Sequence, residues 1–535
     1  MHVVVRLAPM DSIGQWMVGE GDDDAFWGPR PSSVADAACR WRNGDPSEIA
    51  PPDTLQSTSS PLVLGRAHSV TRSPRAASVS AMHAVGPVWR RGEPGYAGAL
   101  GDPQFSALES GLGPDAVVRA SDEAGVVEVL RAAADSGERV AVRSGGHSWA
   151  AAGVRDDGVL LDVGGLDHAR IDAEGLQARF GPGLRGGRLA ELLVAHGTAA
   201  PAGHCGTPGV GGYLLGGGLG LNWGDWLPAC YSVTRVRAVL ADGSIVEGSA
   251  EADPDLLWLA RGAGPGFPGV VTEFDLALRP LPSCIRVSSW RYDLSSLDAV
   301  GEWLTRASDE LPRNVELPVV LGHVPAADAD PATSGSRRAV VGVTAIAYAH
   351  DDEGAASAVA PLAAAPAAAS EEVHAVPVAF DALHEAVDAT YPPGRRYLAD
   401  TFWTPLDLAA TLERLAPLIE AAPSDESYLL VSMPAHGAGA TLLPEGVSAY
   451  SLHDRTLVIA YAIWRDPADD EANRQWIDAV ADTMAPVCSG HFLSEADIRR
   501  HPERAERSFS PDAWARLGEL RSHYDPEGRF HSWFT

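Results

Sequence analysis

Lysine is missing from this 535-residue chain: all 41 basic side chains are arginine, set against 71 acidic ones for a formal net charge of −30. A chain without lysine has no Gly-Lys-Ser/Thr phosphate loop, which excludes the nucleotide-hydrolysing P-loop class. So acidic a balance also argues against nucleic acid or an anionic membrane as partner, because both select a concentrated basic face. Cysteine is scarce as well. Cys39, Cys205, Cys230, Cys284 and Cys488 are odd in number, widely scattered and free of CxxC spacing. Neither a disulfide framework nor a zinc centre is indicated, and no metal is expected. No HExxH and no Gly-x-Ser-x-Gly occurs, so zinc-protease and serine-hydrolase readings lose their support. No apolar run approaches the roughly 18 residues of a membrane span. Met1-His2-Val3-Val4-Val5 meets Arg6 before a signal-like apolar segment forms, and the expected location is the cytoplasm.

The length predicts two or three domains. Residues 1–90 carry Asp22-Asp23-Asp24, Pro51-Pro52 and a Ser/Thr/Pro-rich run without period 2 or 3.6, and are expected to be a disordered extension. Patterned sequence follows. Ala116–Arg119 reads as a strand, Ser121-Asp122-Glu123 as the cap of a helix, Val140–Val142 and Gly158–Val163 as further strands. This is an α/β unit with a loop at a strand end, where ligands usually sit. Leu176–Phe180, a helix over Leu189–Ala195, a hairpin turning at Asp242-Gly243 and a strand over Val270–Leu278 extend it, giving a first domain over 95–281. From 282 to 488 longer β runs (Ala339–Tyr348, Tyr428–Met433, Thr456–Trp464) alternate with helices near Leu406–Ala421 and Asp469–Met484. An antiparallel sheet with helices on one face, a separate substrate domain, is predicted. Residues 489–535, with a helix over Pro511–His523, are expected to return to the first domain.

Two glycine-dense stretches stand out. Arg143-Ser144-Gly145-Gly146-His147-Ser148 places backbone amides where they can approach an anion and follows them with an imidazole. Gly203-His204-Cys205-Gly206-Thr207-Pro208-Gly209-Val210-Gly211-Gly212 does the same with a thiol, 58 residues after His147. Gly181-Pro182-Gly183-Leu184-Arg185-Gly186 fits the dinucleotide fingerprint, but no strand ending in Asp or Glu follows about 20 residues on, so a plain strand-to-helix turn is expected. Gly216-Gly217-Gly218-Leu219-Gly220 reads as backbone packed closely against a flat ring.

In this order the motifs resemble the flavin-binding domain of the vanillyl-alcohol oxidase superfamily, and more narrowly the berberine-bridge-enzyme-like oxidases. Asp255-Leu256-Leu257-Trp258, Gly269-Val270-Val271-Thr272 and Tyr524-Asp525-Pro526 with Phe530 extend the resemblance over roughly 95–530. It implies an α+β chain: a two-part PCMH-type FAD-binding domain plus the antiparallel substrate domain. FAD would be tethered through its 8α-methyl group to His147 and through C6 to Cys205. The implied cofactor contacts are Arg143, Ser144, Gly145, Gly146, Ser148, Gly209, Val210, Gly211, Gly212, Gly216, Gly217, Gly220, Gly269, Phe530 and Val271, the last near the adenine. The sequence departs from the family at Tyr213, at Gly224-Asp225-Trp226-Leu227, at Phe492-Leu493-Ser494 where a Tyr-x-Asn often lies by the flavin, and at Pro208 where oxygen is gated.

The resemblance leaves the catalytic base to the substrate domain. Tyr397, Tyr450, Tyr461 and His453 are the candidates, with Tyr391 and Trp464 as further wall residues. Tyr461 and Trp464, three apart on a strand, should face opposite sides. A tyrosine base needs a cation to lower its pKa from about 10, and Arg395 or Arg396 could do so for Tyr397. The expected reaction is hydride removal from an alcohol or amine carbon of a small natural-product or sugar-like substrate, with O2 reduced to hydrogen peroxide. The alternatives are a flavin dehydrogenase using another acceptor and a binding module without turnover.

Overall fold

A computed structural model describes residues 86–101, 105–325, 337–432 and 443–533, with two short paired strands, Leu7–Ala8 and Met17–Val18. The rest of the expected N-terminal extension, and Met433, lie outside the described residues. The folded body begins inside the range assigned to that extension. Val88–Arg90 is a strand paired antiparallel with Ala116–Arg119, too short a run to register as a period.

The first half of the region expected over 95–281 is the anticipated α/β unit. Ala116–Arg119, Val159–Asp162 and Val140–Arg143 are parallel, with Val159–Asp162 in the middle. The helix Glu123–Ser136 begins where the Asp122 carboxylate accepts from the Gly125 amide at 2.8 Å and ends at Gly137 in the left-handed conformation. Its Val126, Val129 and Leu130 are buried against the sheet. The second half is a five-stranded antiparallel sheet in the order Ile245–Ser249, Val233–Val239, Val270–Ala277, Gln177–Phe180, Ala169–Asp172. The Gly181–Gly186 turn therefore follows a strand that is antiparallel on both sides. A dinucleotide fingerprint belongs in a parallel βαβ unit, and the pairing removes that reading.

Residues 282–488 carry the largest sheet, with path Glu371–Pro377, Cys284–Asp293, Arg337–Ala349, Val319–Pro325, Tyr428–Ser432, Thr456–Trp464, Arg396–Thr404. Helices Leu297–Ser308, Leu408–Glu420 and Asp470–Met484 cover one face, where Trp303, Leu412 and Trp476 share a core. Period 2 sorts the residues of Thr456–Trp464 cleanly. Val458, Ala460, Ala462 and Trp464 join that helix-covered core, while Leu457, Ile459 and Tyr461 join an aromatic cluster shared with Trp223 and Cys230 of the N-terminal half. Tyr461 and Trp464 do lie on opposite faces.

The C-terminal segment closes the molecule. Buried Arg521, on the helix Pro511–Tyr524, donates to the carbonyls of Gly266 and Phe530, and Phe530 bridges in parallel to Val140. Among the described residues no helix is long and apolar enough to cross a membrane, and no group of three or more His, Cys, Asp or Glu could hold a metal ion.

Candidate functional site

The two glycine-dense stretches meet backbone to backbone. A Cβ on Gly209 would lie 2.7 Å from the Gly145 nitrogen and 2.9 Å from its Cα, so this contact exists only because both residues are glycine. Gly146 turns the chain with φ 71°. The first loop is anchored from below by Arg143, whose buried guanidinium donates to Asp162 at 2.8 Å and to the carbonyls of Ala99 and Leu100 at 2.8 Å each. Arg185 ties the loops together, donating to the carbonyls of Gly145 (2.9 Å) and Thr207 (2.7 Å), and the Ser144 hydroxyl donates to the Pro182 carbonyl at 2.6 Å.

Above these loops opens a cavity of about 470 Å³ that runs between the FAD-binding half and the substrate sheet. Arg143, Ser144, Gly145, Gly146, His147, Ser148, Cys205, Gly209, Gly211, Gly212, Gly216, Gly269, Val271 and Phe530 all line it. Val210, Gly217 and Gly220 do not. Val210 is 2% exposed in the core beside Leu214. The flat rings packed on this run are the protein's own: Tyr450 on Gly217 and Tyr213 on Gly218, while Gly220 sits against the Tyr213 hydroxyl, which donates to the Pro201 carbonyl at 2.6 Å, and the Ala202 carbonyl. The departure at Tyr213 is thus a structural post. At Gly212, by contrast, an added Cβ would meet nothing within 4 Å, which leaves room for a flat ligand over the backbone.

His147 and Cys205 sit in contrasting environments. The His147 ring stacks on Phe105 with centroids 4.0 Å apart, and its Nε2 hydrogen-bonds the Thr207 hydroxyl at 2.7 Å. Burial, reinforced by the Arg185 cation, lowers its pKa to about 4, so the imidazole is neutral at neutral pH. In the tautomer whose Nε2–H donates to Thr207, Nδ1 carries the lone pair that can act as a nucleophile. Cys205 is pushed the other way: burial, then the Asp388 and Glu495 carboxyls, hold its thiol well above the usual range. Asp388 reaches across from the substrate domain and accepts from the Gly206 amide at 3.0 Å.

On the substrate side, of the four catalytic candidates only Tyr461 lines the cavity. Tyr397 turns away and donates to the Pro392 carbonyl at 2.6 Å. Arg395 and Arg396 are engaged by Glu426 and Asp470, and burial outweighs Arg395, so the Tyr397 pKa is raised rather than lowered. Tyr450 is 4% exposed behind Gly217 and Gly262. His453 stands off the cavity wall on the partly buried segment before Thr456–Trp464.

Tyr461 has a partner that sequence reasoning missed. Its hydroxyl donates to Glu495 Oε2 at 2.6 Å. Burial raises the Glu495 pKa, with Tyr461 and His204 opposing that rise. Tyr461 itself is raised well above 10 by burial and then by the Glu495 charge. Beside them the hydroxyls of Tyr391 and Tyr428 bond to each other, and Trp149 packs 5.0 Å from Tyr461. His204 meets Glu316 at 3.2 Å, and Glu316 also accepts from the Asn222 amide. Burial works against a charged His204, but Glu316, with Glu495 behind it, outweighs this and raises its pKa. Glu495 directly follows the Phe492-Leu493-Ser494 stretch, and His204 directly precedes Cys205. Adjacency to those motifs was the available signal for both.

The donor set fits FAD: glycine amides for a pyrophosphate, an open strip over Gly212 for a flat ring, a neutral imidazole and a thiol beside it. Comparison with known proteins agrees. Residues 114–249, which contain both loops, match the family described as FAD binding domain. The FAD-linked oxidoreductase ptmO of Penicillium ochrochloron is 29% identical over 445 residues, covering 83% of this chain and 94% of the relative. Among solved structures, 6-hydroxy-D-nicotine oxidase from Arthrobacter nicotinovorans superposes with TM-score 0.72 at 23% identity, covering 83% of this chain and 96% of that one. The Physcomitrella patens BBE-like 1 protein superposes with TM-score 0.72 at 18% identity, covering 85% and 98%.

Proposed function

We propose that this FAD-linked oxidoreductase is an oxidase of the PCMH-type, berberine-bridge-enzyme-like superfamily acting on an alcohol or amine carbon, with FAD held covalently by His147 and Cys205. The observation that carries the reading is the Tyr461–Glu495 contact on the same cavity as both tethering residues. FAD, when bound, would supply the hydride acceptor and pass the electron pair to dioxygen, giving hydrogen peroxide.

The residues of this chain supply the rest. Glycine amides of the two loops would hold the pyrophosphate, and His147 through Nδ1 would hold the ring. With its pKa raised by burial and a carboxylate, Tyr461 is no tyrosinate in the resting protein. It works as a relay: the phenol oxygen takes the substrate proton as its own proton passes to Glu495, whose raised pKa suits it to keep that proton. The charged general base is therefore the carboxyl, with the phenol between it and the substrate. Aromatic packing among Phe105, Trp149, Tyr391 and Tyr461 shields this pair from bulk water.

The test is aerobic turnover against a panel of alcohols and amines, with hydrogen peroxide assayed and the flavin band followed under argon. Bleaching under argon with peroxide in air supports an oxidase. Bleaching with slow reoxidation in air makes the protein a dehydrogenase. A flavin that no member of the panel bleaches refutes turnover.

A further inference from the structure

The part of the cavity beyond Cys205 is walled by the substrate sheet, and its chemistry is one-sided. Val320, Leu430, Leu457, Ile459 and Ile346 present alkyl surface from four strands, and Leu383 adds to it from a helix. The larger polar groups there are already engaged. The Tyr391 and Tyr428 hydroxyls bond to each other, Tyr461 donates to Glu495, the Thr390 hydroxyl donates to the Val387 carbonyl at 2.7 Å, and Glu316 accepts from His204 and Asn222. A polyhydroxylated ligand would bury hydroxyls here that lack partners.

Charge is one-sided too. Among the described residues Arg143 is the only arginine on the cavity wall, and it is sealed at the loop end, 4% exposed, against Asp162 and two carbonyls. The carboxyls of Glu316 and Glu495 stand on the substrate side. An anion placed there would lose its hydration and meet two carboxyls, while His204, the histidine beside them, is already taken by Glu316.

We propose that the substrate is an apolar, non-anionic molecule whose polar anchor is the oxygen or nitrogen on the oxidised carbon, and that sugars, carboxylates and phosphate esters are rejected. The inference rests on the proposed oxidation only in taking this cavity as the substrate's.

The test uses the flavin-loaded protein and three probes: naphthylmethanol, naphthoate and maltose. Binding is read by calorimetry and by perturbation of the flavin spectrum at pH 7.5 under argon. Naphthylmethanol should bind at least 100-fold more tightly than naphthoate, and maltose should show no saturable binding. Val320→Arg, and independently Leu430→Arg, should reverse the preference by tightening naphthoate and weakening naphthylmethanol. Wild-type protein that binds naphthoate or maltose as tightly as naphthylmethanol, or none of the three, overturns the proposal. Peroxide release is measured separately. Tight naphthylmethanol binding without turnover would sink the oxidase reading and leave the substrate class standing, whereas turnover of maltose would do the reverse.

Discussion

The contrast between His147 and Cys205 predicts that the two proposed flavin bonds would form with different dependence on pH, one flat and one rising. A histidine at its usual pKa near 6.5 is about 91% neutral at pH 7.5 and about 9% neutral at pH 5.5, a tenfold loss of nucleophile. His147, held at about 4, is still about 97% neutral at pH 5.5. In a Cys205→Ala protein, where the histidyl bond alone forms, the rate of flavin attachment should be flat between these pH values. In His147→Ala the thiolate is the scarce species, since burial, Asp388 and Glu495 raise the Cys205 pKa, and attachment should speed up about tenfold per pH unit. The assay adds FAD to apoprotein, quenches in acid at intervals and quantifies protein-bound flavin by in-gel fluorescence. Phe105→Ala strips the ring stacked 4.0 Å from His147 and, by admitting water, should bring a falling acid limb back into the Cys205→Ala profile. A tenfold drop without that substitution would refute the buried, neutral imidazole. A flat profile with it would refute burial as the cause.

Three further outcomes follow from the geometry. Tyr461→Phe and Glu495→Gln should each slow flavin reduction by about 100- to 10,000-fold, and the double variant should be no slower than the worse single one, because a relay fails as a unit; stopped-flow rates that multiply would separate the two roles. Gly209→Ala forces a methyl against the Gly145 backbone and should destabilise by about 1–3 kcal/mol with loss of FAD capture. Gly212→Ala, with open space at its Cβ, should lose FAD capture at an unchanged melting temperature, as thermal scans of both apoproteins would reveal. Asp162→Ala should destabilise by about 3–5 kcal/mol in denaturant titration, because it strands the Arg143 guanidinium in a site where both side chains are 2% exposed.

The cofactor half was legible in the sequence for a physical reason. Its share of the cavity wall is made by two contiguous stretches, 143–148 and 203–212, so the residues that line it are neighbours along the chain. Three of its expected contacts, Val210, Gly217 and Gly220, fall off the cavity wall, where a short range hides a change of direction. Val210 opens the helix Val210–Leu215 and turns its side chain into the core, while its neighbours Gly209 and Gly211 line the cavity. The tyrosine rings on Gly217 and Gly218 come from Tyr450 and Tyr213, and no glycine pattern reveals whose ring it will meet.

The substrate half resisted the same reading because its function is assembled from pairs that no local pattern links. Period 2 told that Tyr461 and Trp464 face opposite ways, but not which face holds the ligand; that was decided by the helices stacked on Trp464. Tyr397 looked promising because Arg395 and Arg396 adjoin it in sequence, yet adjacent residues on a strand diverge, and Glu426 and Asp470 claim both arginines. The group that matters to Tyr461 lies 34 residues on, in the C-terminal segment. A cation-assisted phenol and a carboxylate-coupled phenol also call for opposite chemistry. The first lowers the tyrosine pKa and makes it the base. The second raises it and hands that role to the carboxyl. Only the partner's sign distinguishes them, and that sign is fixed when Glu495 folds back onto the sheet.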